Sequence, residues 1–177
     1  MSLPHVLLGI LRTPATGYDI RRQFESGDAY FWAAELSQIY PALKKLEDKG
    51  LVRSEDAPSD QGPRRRLYHR TEAGRRELVD WVSSGPVVGT QRLAYVGQIL
   101  YAFEADDLQV VADLVADLRN EFQPVHDLLA SVAEEVASPT TDQEFHDLLG
   151  VRLGVLTNAA RLAWCDEAEQ LIKERMR

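Results

Sequence analysis

The chain has 177 residues, of which 45% are hydrophobic and 27% charged, with a net charge of −8 and a single cysteine, Cys165. That supplies enough apolar material for a core in one large or two small domains, and it excludes a disulfide framework or a paired-cysteine metal site. No apolar run has the length needed to span a bilayer. The opening MSLPHVLLGIL has neither a basic region nor a small-residue cleavage site, so the expectation is a cytoplasmic protein with no membrane partner.

The elements follow in chain order. Residues 3–11 read as a short helix ending before Thr13-Pro14. Thr16 caps a second helix, with Asp19 three residues on, that runs to about Ser26-Gly27. A third helix spans about Ser37 to Lys49, with Ile39, Leu43 and Leu46 at helical spacing and Gly50 as its stop. Pro41 is expected in its first turn, where a missing N–H costs least. Leu51-Val52-Arg53 and Arg66-Leu67-Tyr68 flank the turn-rich segment Asp56–Pro63 and read as a two-stranded hairpin. Thr71 caps a helix from Glu72 to about Val82, and Ser83-Ser84-Gly85-Pro86 reads as a boundary. The expected domains are residues 1–85 and 86–177.

The second domain reads as entirely helical. One helix covers 91–103, and Asp106 is expected to cap a longer one. Its apolar residues, among them Leu108, Val111, Val115, Leu118, Phe122, Leu129 and Val136, alternate spacings of three and four for about four heptads, a coiled-coil stripe. Pro124 is expected to kink it. Thr141-Asp-Gln-Glu144 is a capping box for a last helix reaching about Lys173. That helix is apolar on more than one side near Leu149 and Leu156, so a single neighbouring helix cannot cover it. A second copy of the chain would, which makes these residues the expected dimer contacts.

Three helices followed by a two-stranded hairpin is the order of a winged helix-turn-helix. Its third helix packs an apolar face inward and turns Ser37, Gln38, Tyr40, Pro41, Lys44 and Lys45 toward double-stranded DNA. Glutamine can pair with adenine and lysine can reach guanine or phosphate. Arg64, Arg65 and Arg66 in the hairpin suit backbone or minor-groove contact. The acidic total is compatible with this, because the charge is unevenly distributed. Residues 1–85 hold 13 Lys/Arg against 12 Asp/Glu, while residues 86–177 hold 7 against 16.

These residues carry a resemblance. Leu7–Leu11, Thr16-Gly-Tyr-Asp-Ile20, Phe31-Trp32, Gln38-Ile-Tyr-Pro-Ala-Leu43, Gly62-Pro-Arg-Arg65 and Thr71-Glu-Ala-Gly74, in this order and spacing, resemble the PadR family of bacterial transcriptional regulators. The C-terminal half resembles the longer subfamily, whose helical domain is like that of virulence-gene activators. The resemblance implies a homodimer held by C-terminal helices, two winged domains on an inverted repeat, repression in most members, and in some a response to phenolic or other aromatic ligands. Glu35 departs from the small polar residue that the family often carries there. A carboxylate would repel a phosphate, and Ser37 is the substitute contact.

The remaining signals are weaker. Trp81 and Trp164 read first as packing, with an aromatic effector site as the functional alternative. His126 and His146 could meet across antiparallel helices, but no metal motif accompanies them, and neither metal nor cofactor is expected. Without a nucleophile elbow, P-loop or GxGxxG, an enzyme is rejected. The competing class is a winged module that binds protein and has lost DNA binding, which the acidic balance and Glu35 would fit.

Overall fold

The computed structural model describes residues 3–25, 36–57, 65–89 and 93–177. Phe31, Trp32, Glu35 and Arg64 lie outside these residues, and only the backbone of Arg65 is described. The chain forms two compact units, Met1–Gly89 and Thr90–Arg177. No helix among the described residues is long and apolar enough to cross a membrane.

The first unit contains α1 (Leu3–Ile10), β1 (Ala15–Thr16), α2 (Gly17–Glu25), α3 (Leu36–Asp48), β2 (Val52–Ala57), β3 (Arg65–Arg70) and α4 (Glu72–Ser83). Its core is made by residues at helical spacing on three helices: Leu7, Leu8 and Leu11, then Ile20, then Ile39, Leu43 and Leu46, closed by Val52 and Tyr68 from the sheet. Local signals operate as the sequence predicts. Thr16 and Asp19 cap the start of α2 reciprocally: the Thr16 N–H donates to Asp19 Oδ2 at 3.0 Å, and the Asp19 N–H donates to Thr16 Oγ1 at 3.3 Å. Gly50 stops α3 with φ +68°, the left-handed conformation glycine adopts at least cost. Thr71 Oγ1 accepts from the Gly74 N–H and donates to the Gly50 carbonyl, so one hydroxyl caps α4 and ties it to the end of α3.

Three expectations change here. The sheet has three strands in the order β1-β3-β2, because Ala15 and Thr16 pair with Tyr68 and Leu67. A two-residue strand has no periodicity to read; only its partner defines it. The wing strands are also longer than expected: β2 and β3 pair from Val52↔Arg70 to Ala57↔Arg65, which draws Glu55 and Asp56 into the ladder. Pro41 lies in the second turn of α3, since the helix already begins at Leu36.

The second unit contains α5 (Ala94–Tyr101), a 3-10 turn (Ala102–Ala105), α6 (Leu108–Glu135) and α7 (Asp142–Arg175). The helix expected over 91–103 is therefore shorter and ends in the 3-10 turn. Asp107, not Asp106, caps α6, accepting from the Gln109 N–H at 2.8 Å. Asp106 instead takes a left-handed conformation that reverses the chain into the cap. The Thr141/Glu144 capping box is present in full. α6 remains helical through Pro124 and packs along α7, which returns antiparallel to it.

Candidate nucleic-acid interface

α3 separates its residues cleanly. Ile39, Ala42, Leu43 and Leu46 are buried, while Ser37, Gln38, Tyr40, Pro41, Lys44 and Lys45 are all exposed on the other side. The six residues singled out on this helix thus share one outward face. The 3.6-residue period decides this, because packing one stripe against α1 and α2 turns the remaining positions outward. Lys44 lies 3.1 Å from Asp48 one turn on, an exposed pair that holds the ammonium loosely.

The wing is fastened to this helix. Glu47, partly buried near the end of α3, accepts the Ser54 hydroxyl of β2 at 2.5 Å and the Arg66 guanidinium of β3 at 3.4 Å. Further along the hairpin, Glu55 meets Arg53 at 3.2 Å and His69 Nε2 at 2.9 Å. The Arg53 hydrogen bond, then that of His69, holds the Glu55 carboxyl below its ordinary value. Arg70 donates to the Leu8 carbonyl at 3.0 Å, and its burial there lowers its pKa. Arg66 therefore has a structural partner as well as an exposed position. The Glu47 anchor has no local sequence signature, because its partners are seven and nineteen residues away.

In the second unit the residues expected at a dimer contact divide. Val115, Leu118, Phe122 and Leu129 are at most 9% exposed within one chain. The first three share a cluster with Cys165 and with Tyr95, Ile99, Leu162, Ala168 and Ile172. This corrects the reading of the α6 stripe as an open dimer seam. α7 folds back over it and α5 adds Tyr95, whose ring meets Phe122 edge-on at 5.9 Å between centroids. Across the same helix pair, Arg119 donates to Asp166 at 2.6 Å and to Glu169 at 2.8 Å. Leu108 is 39% exposed at the start of α6 and Val111 is half-buried. On α7, Leu149 and Leu156 stay open, with Leu153 between them on the same face.

The two tryptophans are in different units. Trp81 on α4 stacks on His5 of α1, ring centroids 4.8 Å apart and nearly parallel, which makes it a packing residue of the winged unit. Trp164 lines an apolar groove of about 610 Å³ between α5 and α7, with Leu93, Val96, Leu100, Thr157 and Arg161. The Arg161 guanidinium sits 5.2 Å from the centre of the Phe122 ring and donates to the buried Asn158 at 3.3 Å. Of the two tryptophans named for a possible effector site, Trp164 lines this groove within the second unit. His126 contacts Asp127 and His146 contacts Phe145. Among the described residues no group of three or more His, Cys, Asp or Glu side chains is arranged to hold a metal ion. Burial is the first cause of the raised Cys165 pKa, ahead of the neighbouring carboxylates.

A three-helix core that turns the polar face of its third helix outward, beside an antiparallel wing, is the fold of a winged-helix transcriptional regulator. The transcriptional regulator PadR-like family matches residues 6–80. The chain is 24% identical over 188 residues to the probable transcriptional regulator Rv1176c of Mycobacterium tuberculosis, covering 99% of this chain and the whole of that one. It is 35% identical over 113 residues to the negative transcriptional regulator PadR of Bacillus subtilis, covering 60% of this chain and 62% of the relative. The structure of Bacillus subtilis PadR in complex with operator DNA superposes with a TM-score of 0.82 at 26% identity, over 97% of this chain and 99% of that one. The same protein in complex with p-coumaric acid gives 0.76 at 25% identity, over 98% and 99%. The winged unit thus matches the PadR-like family of transcriptional regulators, and the likeness to PadR structures extends over nearly the whole chain.

Proposed function

We propose that the chain represses transcription as a homodimer that reads an inverted-repeat operator. The observation that carries this reading is the outward face of α3, where six exposed residues, five of them polar or basic, stand opposite a buried apolar face. Gln38 is the base-reading residue, Lys44 and Lys45 reach guanine or phosphate, and Ser37 and Tyr40 donate to phosphate. Arg64, Arg65 and Arg66 place the wing on the adjacent backbone. Two-fold symmetry sets the two α3 helices roughly 34–36 Å apart, one turn of DNA. The dimer contact uses the α7 face of Leu149, Leu153 and Leu156, which one chain leaves open. The reading includes no catalytic step.

The effector is an aromatic acid held in the α5–α7 groove. Trp164 and Tyr95 offer ring surfaces, and Arg161 offers the charge for a carboxylate. The similarity to a regulator solved with p-coumaric acid supports this ligand class. Such a ligand acts by binding one dimer arrangement better than another.

A mobility-shift titration with DNA upstream of the chain's own gene tests the reading, with and without phenolic acids, alongside tryptophan quenching. A retarded complex, competed by that sequence and released by a phenolic acid, is expected. No complex with any duplex at low salt would leave the winged unit as a protein-binding module.

A further inference from the structure

Gly17 opens α2, and the ring of Tyr40 on α3 lies against it. A Cβ at Gly17 would meet Tyr40 Cε1 and the phenol oxygen at 2.6 Å and Cζ at 2.7 Å. Such distances are too short for real carbon contacts, so the hydroxyl end of the ring occupies the space that glycine leaves. The seat itself is firmly held. Thr16, immediately before it, pairs with Leu67 in the sheet, and its hydroxyl and N–H are engaged by Asp19. Gly17 is buried, whereas Tyr40 is 48% exposed on the outward face of α3. The phenol therefore rests on fixed backbone at its tip while one side remains open.

We propose that Gly17 is a positioning residue for Tyr40: by having no side chain it places the phenol hydroxyl where α2 and α3 meet, ready to donate to a DNA phosphate. This rests on the reading of α3 as the DNA-contacting helix. A tyrosine on a helix surface has two soft torsions, and a freely rotating phenol must be ordered when DNA binds. A ring already seated against Gly17 has lost that freedom beforehand. The three atoms nearest to such a side chain all belong to the free end of the Tyr40 ring, so the ring can swing away while the fold is kept.

The test is a double-mutant cycle in the full-length protein. Gly17→Ala, Tyr40→Ala, Tyr40→Phe and the double variant Gly17→Ala/Tyr40→Ala are compared by thermal melting and by titration of a generic duplex at low salt. A phosphate contact does not depend on sequence, so no operator is needed. Tyr40→Phe and Gly17→Ala should each weaken binding roughly tenfold or more, the loss of a hydrogen bond to a charged group. The double variant should bind no more weakly than Tyr40→Ala, because the ring that alanine displaces is gone. Gly17→Ala binding like the parent overturns the inference alone, as does a double variant far weaker than Tyr40→Ala. Parent-like binding by both Tyr40 variants overturns it together with the Tyr40 contact to DNA. Should Gly17→Ala melt too low to assay, the double variant against Tyr40→Ala decides.

Discussion

Glu47 near the end of α3 accepts the Ser54 hydroxyl of β2 at 2.5 Å, with the Arg66 guanidinium of β3 approaching the same oxygen at 3.4 Å. One carboxylate on the helix expected to read DNA thus holds both strands of the wing. The Arg66 pair is more than half exposed on the arginine side and contributes little stability. The part-buried Ser54 bond is the stronger element. Glu47→Ala should therefore destabilise the protein by about 1 kcal/mol, roughly 2–4 °C for a chain of this size. Glu47→Gln, which still accepts from Ser54, should lose less. Equal melting temperatures for the parent and Glu47→Ala would remove this anchor from the account.

DNA affinity should depend on the exposed bases of α3 and the wing. Replacing Lys44 or Lys45 by alanine is expected to weaken binding. Replacing Arg64, Arg65 and Arg66 together should flatten the dependence of log K on log salt, by up to about 0.9 for each phosphate that a subunit no longer neutralises. Gln38→Ala should act differently, relaxing base preference at one position by roughly 1–3 kcal/mol while sparing non-specific affinity. Titrations at several salt concentrations separate the two effects, and an unchanged slope in the triple variant would take the wing out of the mechanism.

The two sets of apolar residues in the C-terminal unit should respond to substitution in opposite ways. Leu118 and Phe122 lie in the intrachain core, so Leu118→Ala should cost about 2–5 kcal/mol of stability. Leu149 and Leu156 are more than half exposed in one chain. Leu149→Glu with Leu156→Glu should leave the folded subunit intact by circular dichroism but convert dimer to monomer in sedimentation. A double glutamate variant that still sediments as a dimer would place the interface elsewhere.

Acid should loosen the start of α7. Glu144 takes hydrogen bonds from the Thr140 N–H and hydroxyl and from the Thr141 N–H, and these hold its carboxyl below the ordinary 4.5. Because the folded value is lowered, this stabilisation is fully present above 4.5 and is lost as pH falls through the folded value. Glu144→Gln should be less stable than the parent at neutral pH, with the gap closing at acid pH. Melting curves across that range measure it, and a gap independent of pH would exclude the ionised cap as its source.

Elements set by neighbours along the chain were readable from the sequence. The Thr16/Asp19 and Thr141/Glu144 caps, the Thr71 cap and the stop at Gly50 are local chemistry spanning three residues or a single one. The split of α3 into a buried and an outward face follows from helical period alone, which is why its six candidate residues could be named before the fold was known. The wing strands were placed, although their length was underestimated, because the turn-rich segment reads as beginning at Asp56 and only cross-strand pairing draws Glu55 and Asp56 into the ladder.

The sequence by itself determined which residues are apolar, where α2, α4 and α7 begin and α3 stops, and which side of each helix must be covered. What covers each side was decided only by the tertiary structure. The α6 stripe was legible as a coiled-coil face, but the same stripe serves a second chain or the returning α7 equally well, since hydrophobic burial is non-directional and recognises area rather than partner. The short connection to α7 settles the choice within the chain, because closing a loop of a few residues costs far less than recruiting another molecule. The same reason hid β1, the Glu47 anchor and the Gly17–Tyr40 contact. Each joins residues far apart in the chain, and their approach is created by packing α2, α3 and the sheet around one core.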